Sequence, residues 1–271
     1  MTRPLALMLA IIAATWDAWR WYVARIVATP EEAAALVLTI AFIIALGWRD
    51  RERLAAMAPA ALPLWTASGL LVLYVASFGV LPPIGRAAIA ISAALLCLYT
   101  GLLRAHPPIA FWGLVALSLP VLPSLQFTFG YGMRIVSAAL TVVLLQAQGL
   151  DVAQQGTFLV WRGEMVQFDA PCSGVNMLWA GLLVGLMGAL AQGLCLLRTA
   201  LIVALSIVLT IASNVLRASS LFFVETGLVT GLPAWGHEAV GIMAFLMSAG
   251  GLLWVLRRLD QAHQDMRSIA P

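Results

Sequence analysis

The stretch LLRTALIVALSIVLTIAS, residues 196–213, holds a single charged residue, Arg198 near its start, and neither proline nor glycine. Its other interruptions are Ser and Thr, whose hydroxyls can bond back to the helix carbonyl one turn earlier. A helix needs about 20 largely apolar residues to cross hydrocarbon. Water would solvate no face of this one, so the stretch reads as a transmembrane helix. In lipid the backbone must satisfy its own polar groups, which leaves helices and closed barrels as the only spanning structures.

Similar runs flank it on both sides. Downstream, residues 238–256 form an apolar segment closed by Arg257 and Arg258, and upstream lies 175–190. Towards the N-terminus come 108–122, 86–103, 62–80, 33–48 and 5–24. The expected fold class is therefore an all-α polytopic membrane protein of about eight spans, one integral membrane domain over residues 1–271. Composition agrees: 62% of the chain is hydrophobic and 10% charged, against about 25% charged in soluble domains. The mean hydropathy is +0.98.

The first run follows Arg3 and could pass for a signal peptide, but no small-residue cleavage site precedes a soluble domain, so it reads as the first span. Trp16, Trp19, Trp21 and Tyr22 end it, as aromatic side chains do at a membrane interface.

Between residues 123 and 171 the pattern changes, and this segment reads as an extracytoplasmic insertion. Residues 131–148 suggest a helix too short to span, interfacial or partly embedded. Residues 157–169 alternate about an Arg162-Gly163 turn and read as a β-hairpin, which must lie in water or against protein.

With eight spans, the loops and ends bearing Arg3, Arg49, Arg51, Arg53, Arg104, Arg198, Arg257 and Arg258 share one side. An arginine excess marks the cytoplasmic side, and the net charge of +3 needs no nucleic acid to explain it. Both termini are then cytoplasmic.

Three residues then share the opposite face. Cys172 lies in Pro171-Cys172-Ser173-Gly174, after the hairpin and just before a long helix. Unpaired N–H groups and the dipole at a helix start favour an anion such as a thiolate; Ser173 can cap that helix and Gly174 permits close backbone approach. Arg217 stands three residues after Asn214, on the same face of a continuing helix. A cation so close to hydrocarbon needs a partner or a watery cavity, unless it merely snorkels to the headgroups. His237 opens the last span and can titrate near neutral pH, although an interfacial histidine is often only solvated. Nucleophile, cation and acid/base together form the inventory for attack on a peptide carbonyl. Cys97 and Cys195 read as small buried thiols, and His106 and His263 as loop and tail residues. Glu238 and Asp169 are weaker candidates for orienting the histidine.

The order Cys172-Ser173-Gly174, Asn214-x-x-Arg217, then His237 before a final span resembles the exosortase/archaeosortase family. That resemblance implies a multi-spanning cysteine peptidase or transpeptidase of the bacterial inner membrane. It would process exported proteins ending in a short motif such as Pro-Glu-Pro, an apolar helix and a basic tail. It further implies Cys172 as nucleophile, Arg217 as stabilising cation and His237 as acid/base, with Asn214, Ser173 and Gly174 in support and water or an acceptor amine resolving the acyl-enzyme. No cofactor or metal is implied: His237-Glu238-x-x-Gly241 lacks the second histidine of a zinc motif. A transporter, or a non-catalytic export and assembly factor, is the alternative; the absence of charged residues from the middles of the last three spans speaks against a transport path.

Overall fold

A computed structural model describes residues 2–55, 63–167, 174–230, 233 and 235–269. Its contacts divide into two compact units, residues 1–121 with 189–199, and residues 122–188 with 200–271.

The first unit contains α1 (Thr2–Ala14), α2 (Trp16–Ala28), α3 (Pro30–Arg49), α4 (Arg51–Ala55), α5 (Pro63–Ala76), α6 (Pro83–Leu103) and α7 (Ile109–Leu117). Helix α6 is its hub, touched by α1, α2, α3, α5 and α7. The reason is local: Ala87, Ala90, Ala93 and Ala94 are all buried, and such small side chains let neighbouring helices approach closely. Ile11 of α1 packs on Ala93, Ala94 and Cys97, while Ala18 of α2 and Tyr74 of α5 meet at Ala90.

The second unit begins with α8 (Leu122–Gln146), followed by a three-stranded antiparallel sheet, β1 (Val152–Gln155), β2 (Phe158–Trp161) and β3 (Glu164–Gln167), in the order β1-β2-β3. It continues with most of α9 (Val175–Ala191) and α10 (Leu196–Glu225), and with α11 (Gly236–Ile269). The expected hairpin is present. Arg162 and Gly163 both adopt positive φ, 52° and 85°, the pair of left-handed residues that a two-residue hairpin turn requires. Pairing Trp161 with Glu164 sets its register. The sheet rests on protein: Val152, Leu159 and Trp161 pack with Ala138, Val142 and Leu145 of α8 and with Ala218 and Phe222 of α10.

Glycines bring the long helices together. A Cβ on Gly181 would come 3.2 Å from the Thr210 hydroxyl, and one on Gly185 would come 2.8 Å from that of Ser206. Gly188 stands against Leu256 of α11. Side chains at these positions would push α9 off its neighbours.

Several expected boundaries shift. Five helices are long and apolar enough to cross a bilayer, at Glu32–Arg49, Pro83–Leu103, Leu122–Gln146, Leu196–Glu225 and Glu238–Leu259, among the described residues; α9 is apolar but shorter. The expected span at 5–24 is two helices broken at Thr15, whose hydroxyl donates to the Ile11 carbonyl at 2.7 Å. The expected span at 108–122 holds only the nine-residue α7. Residues 131–146, expected as a short interfacial helix, are the second part of the 25-residue α8. The cause is Pro123. It reads as a break, yet it occupies the first turn of α8, where a proline's missing N–H costs nothing. Helix α11 also continues past Arg257 and Arg258 to Ile269.

Candidate functional site

The start of α9 organises the site. Gly174 precedes the helix and its carbonyl accepts from Leu178 N–H at 2.8 Å, so it caps the first turn. Its φ is +76°, a conformation that side-chain-bearing residues rarely adopt. Space forbids a side chain as well, because a Cβ there would lie 3.0 Å from Asn214 Cγ and 3.1 Å from its Nδ2. Glycine at this position therefore serves both the backbone turn and the approach of α10. Cys172 and Ser173 fall outside the described residues, two and one positions before this glycine, as does Asp169.

Asn214 is itself held from α8. It is 1% exposed, and its Nδ2 donates to the Ser137 hydroxyl at 3.0 Å, with Ser137 also 1% exposed. A second tie joins α8 to the start of α9: Gln126 Nε2 of α8 donates to Asn176 Oδ1 of α9 at 2.9 Å.

Because α10 runs without interruption to Glu225, Asn214 and Arg217 do share a helix face, as their spacing requires. Arg217 reaches α11. A Cβ on Gly241 would stand 3.4 Å from Arg217 Nε and 3.6 Å from Cζ, ordinary contact distances, so the guanidinium lies against this turn of α11. His237 occupies the first turn of α11, four residues before Gly241 and hence on the same side of the helix. Positions 174, 214, 217 and 241 thus form one connected set within the second unit, with residue 237 a turn away. Glu238 is the one acidic residue in the first turn of α11.

The family description of transmembrane exosortases matches residues 27–254. The chain belongs to the transmembrane exosortase family. The matched segment includes Cys172, Asn214, Arg217 and His237 and extends from the end of α2 to within α11. Membership, together with the apolar helices, makes the chain a multi-pass membrane protein; the family is one of cysteine-type peptidases and transpeptidases and points to a membrane enzyme that processes sorting signals. No curated protein and no solved structure matches the chain.

Ser137 and Gly241 were not singled out from the sequence as parts of a site. Ser137 is one small hydroxyl in an apolar run, and Gly241 stands out in the sequence only as the residue that spoils a zinc motif. Their importance lies in what faces them across a helix interface. Cys97 is buried, as expected of a small thiol. Cys195 is exposed instead, at the head of α10, and the backbone N–H of Arg198 holds its thiol below the usual value.

Proposed function

We propose that this chain is an exosortase-type cysteine peptidase or transpeptidase, acting on C-terminal sorting signals at the extracytoplasmic face. The observation that carries the reading is the connected set Gly174–Asn214 and Arg217–Gly241. It anchors the residue two positions after the thiol, the cation, and the helix turn bearing the histidine.

The chemistry follows from that arrangement. The Cys172 thiolate adds to the scissile carbonyl, and the new C–S bond pushes the carbonyl electrons onto oxygen. Arg217 stabilises that oxyanion. As the tetrahedral adduct collapses, the C–N bond breaks and His237 gives its proton to the departing amine. A thioester to the outgoing protein remains. Water or an acceptor amine attacks it, returns a proton to His237 and frees the thiolate.

The sidedness rests on the arginine-bearing loops. Placing the fifth crossing at α8 in place of 108–122 leaves the number of crossings unchanged, so those loops keep their common side. An apolar helix in the substrate would lie against the bundle in lipid and leave its motif at the outer surface, and the basic tail would suit the cytoplasmic end.

The test is a processing assay in cells, using an exported reporter that ends in Pro-Glu-Pro, an apolar helix and a basic tail. Cys172→Ala should abolish cleavage, and Arg217→Ala and His237→Ala should each lower it by about 100-fold or more, with membrane insertion checked for every variant. Undiminished cleavage by Cys172→Ala rejects the nucleophile. In whole cells an impermeant thiol reagent should label Cys172 when Cys97 and Cys195 are replaced by Ala. With Cys195 as the single thiol, labelling should require a breached membrane.

A further inference from the structure

Arg134 sits at the midpoint of α8, twelve residues from either end of a membrane-length helix. Most arginines of the chain stand at helix ends or in loops, where the guanidinium can reach water or headgroups. Arg134 is half-buried, its Nε is fully buried, and its side chain forms no hydrogen bond or ion pair among the described residues. Such a charge on a spanning helix is expensive to hold and points to a functional site by default.

The helix shows which way it faces. Gly130, Ser137, Ala138, Thr141 and Leu145 make up the buried stripe of α8, and Arg134 falls on this stripe, four residues after Gly130 and three before Ser137. The outward positions are Phe129, Tyr131, Val136, Leu140 and Val143, all exposed. Ser137 is the hydroxyl that holds Asn214 against Gly174. Arg134 therefore lies one helical turn from the site frame, on the inside of the second unit. Just above it the sheet begins to cover the helix, since Gln154 Nε2 of β1 donates to the Ile135 carbonyl at 3.2 Å. A bound lipid phosphate would be approached from the outward face, where α8 presents aromatic and aliphatic side chains.

We propose that Arg134 is a substrate-binding residue that pairs with a carboxylate side chain of the peptide substrate, next to the scissile bond. The identity of the ligand as a peptide rests on the function proposed above. A guanidinium offers a carboxylate two parallel N–H···O bonds, and in a partly buried setting the pairing discriminates strongly against a neutral amide of the same shape. Arg217 and Arg134 then have separate tasks, the first at the reacting carbonyl and the second at the recognition residue. This would make an acidic residue in the sorting motif a requirement set by α8.

The experiment measures binding and cleavage separately. For binding, the Cys172→Ala protein in nanodiscs of zwitterionic lipid is titrated with two synthetic peptides, each a Pro-Glu-Pro or Pro-Gln-Pro motif joined to an apolar helix and a basic tail. The glutamate peptide should bind about 10- to 100-fold more tightly, and Arg134→Gln should abolish that preference. Equal binding of the two peptides to the Arg134 protein overturns the proposal whether or not any cleavage occurs. For cleavage, Arg134→Gln on an otherwise wild-type chain should slow the glutamate reporter and leave the glutamine reporter unchanged. Arg134→Glu should regain activity on a Pro-Arg-Pro reporter, a rescue that a structural arginine would not show. Loss of tightly held anionic phospholipid from Arg134→Gln, with peptide preference intact, assigns the residue to a headgroup and also overturns the proposal. If no reporter is cleaved by the wild-type chain but the binding preference holds, the enzymatic reading fails and this one stands.

Discussion

The two compact units use polar groups among apolar helices differently. In the first, polar side chains tie one helix to the next. Tyr22 of α2 donates to the Ser118 carbonyl at 2.8 Å, the Tyr74 hydroxyl of α5 accepts from Ala18 N–H at 3.3 Å, and Arg86 of α6 pairs with Asp17 of α2 at 2.8 Å. The ion pairs Arg20–Asp17, Arg49–Asp50 and Arg86–Asp17 lie in that unit. In the second, the buried amide of Asn214 and the hydroxyl of Ser137 meet beside Gly174, the Arg217 guanidinium stands against Gly241, and Arg134 has no acidic partner among the described residues. Hydroxyls of Thr141 and Thr210 and the Trp179 indole N–H are buried there without a hydrogen bond among the described residues. Polar groups in the first unit are spent on holding helices in place. Those in the second gather around the start of α9, where the chemistry is proposed.

That contrast can be broken by substitution. The largest effect is expected at Gly174→Ala. It forces a side chain into a left-handed backbone, costing about 1–2 kcal/mol, and drives a methyl group to 3.0 Å from Asn214. Reporter processing should drop by about 100-fold or more while the protein still inserts, since a shift of about 1 Å in a reacting group suffices for that. Wild-type processing by this variant would detach the glycine turn from catalysis.

A smaller loss is expected from Ser137→Ala, which removes the hydroxyl that accepts from the buried Asn214 amide. Losing a hydrogen bond costs about 0.5–1.5 kcal/mol, so processing should slow by up to about tenfold, with Ser137→Thr, which keeps the oxygen, recovering most of it. Equal defects in the two variants would mean that the volume at residue 137 matters and its hydroxyl does not.

In the first unit Arg86→Gln should have the smallest effect. The Asp17 side chain of that pair is 42% exposed, so water already screens it, and a loss of about 0–1 kcal/mol is expected. Thermal melting in detergent should barely move and reporter processing should be unchanged. A processing defect there would erase the distinction between a tied scaffold unit and a working one.

Particular residues show how far the sequence could be read. The apolar run at 196–213 announced α10, the Arg162-Gly163 turn announced the hairpin, and the Asn214–Arg217 spacing announced a shared helix face, because each depends on neighbours along the chain. Strand β1 was not anticipated, since Val152–Gln155 is half polar and becomes a strand only by pairing with β2. Pro123 misled because a proline looks the same in sequence whether it ends one element or begins another. The segment around Cys172 was legible as a motif from its residue types alone.

By itself the sequence determined the solvent, lipid, and the residue types able to attack a carbonyl, since composition sets what water can dissolve and side-chain chemistry is local. Tertiary structure alone decided that Ser137 meets Asn214, that Gly174 gives way to Asn214, that Arg217 lies against Gly241, and that Arg134 faces inward. Helical period tells which residues share a face, but only packing tells what stands opposite that face.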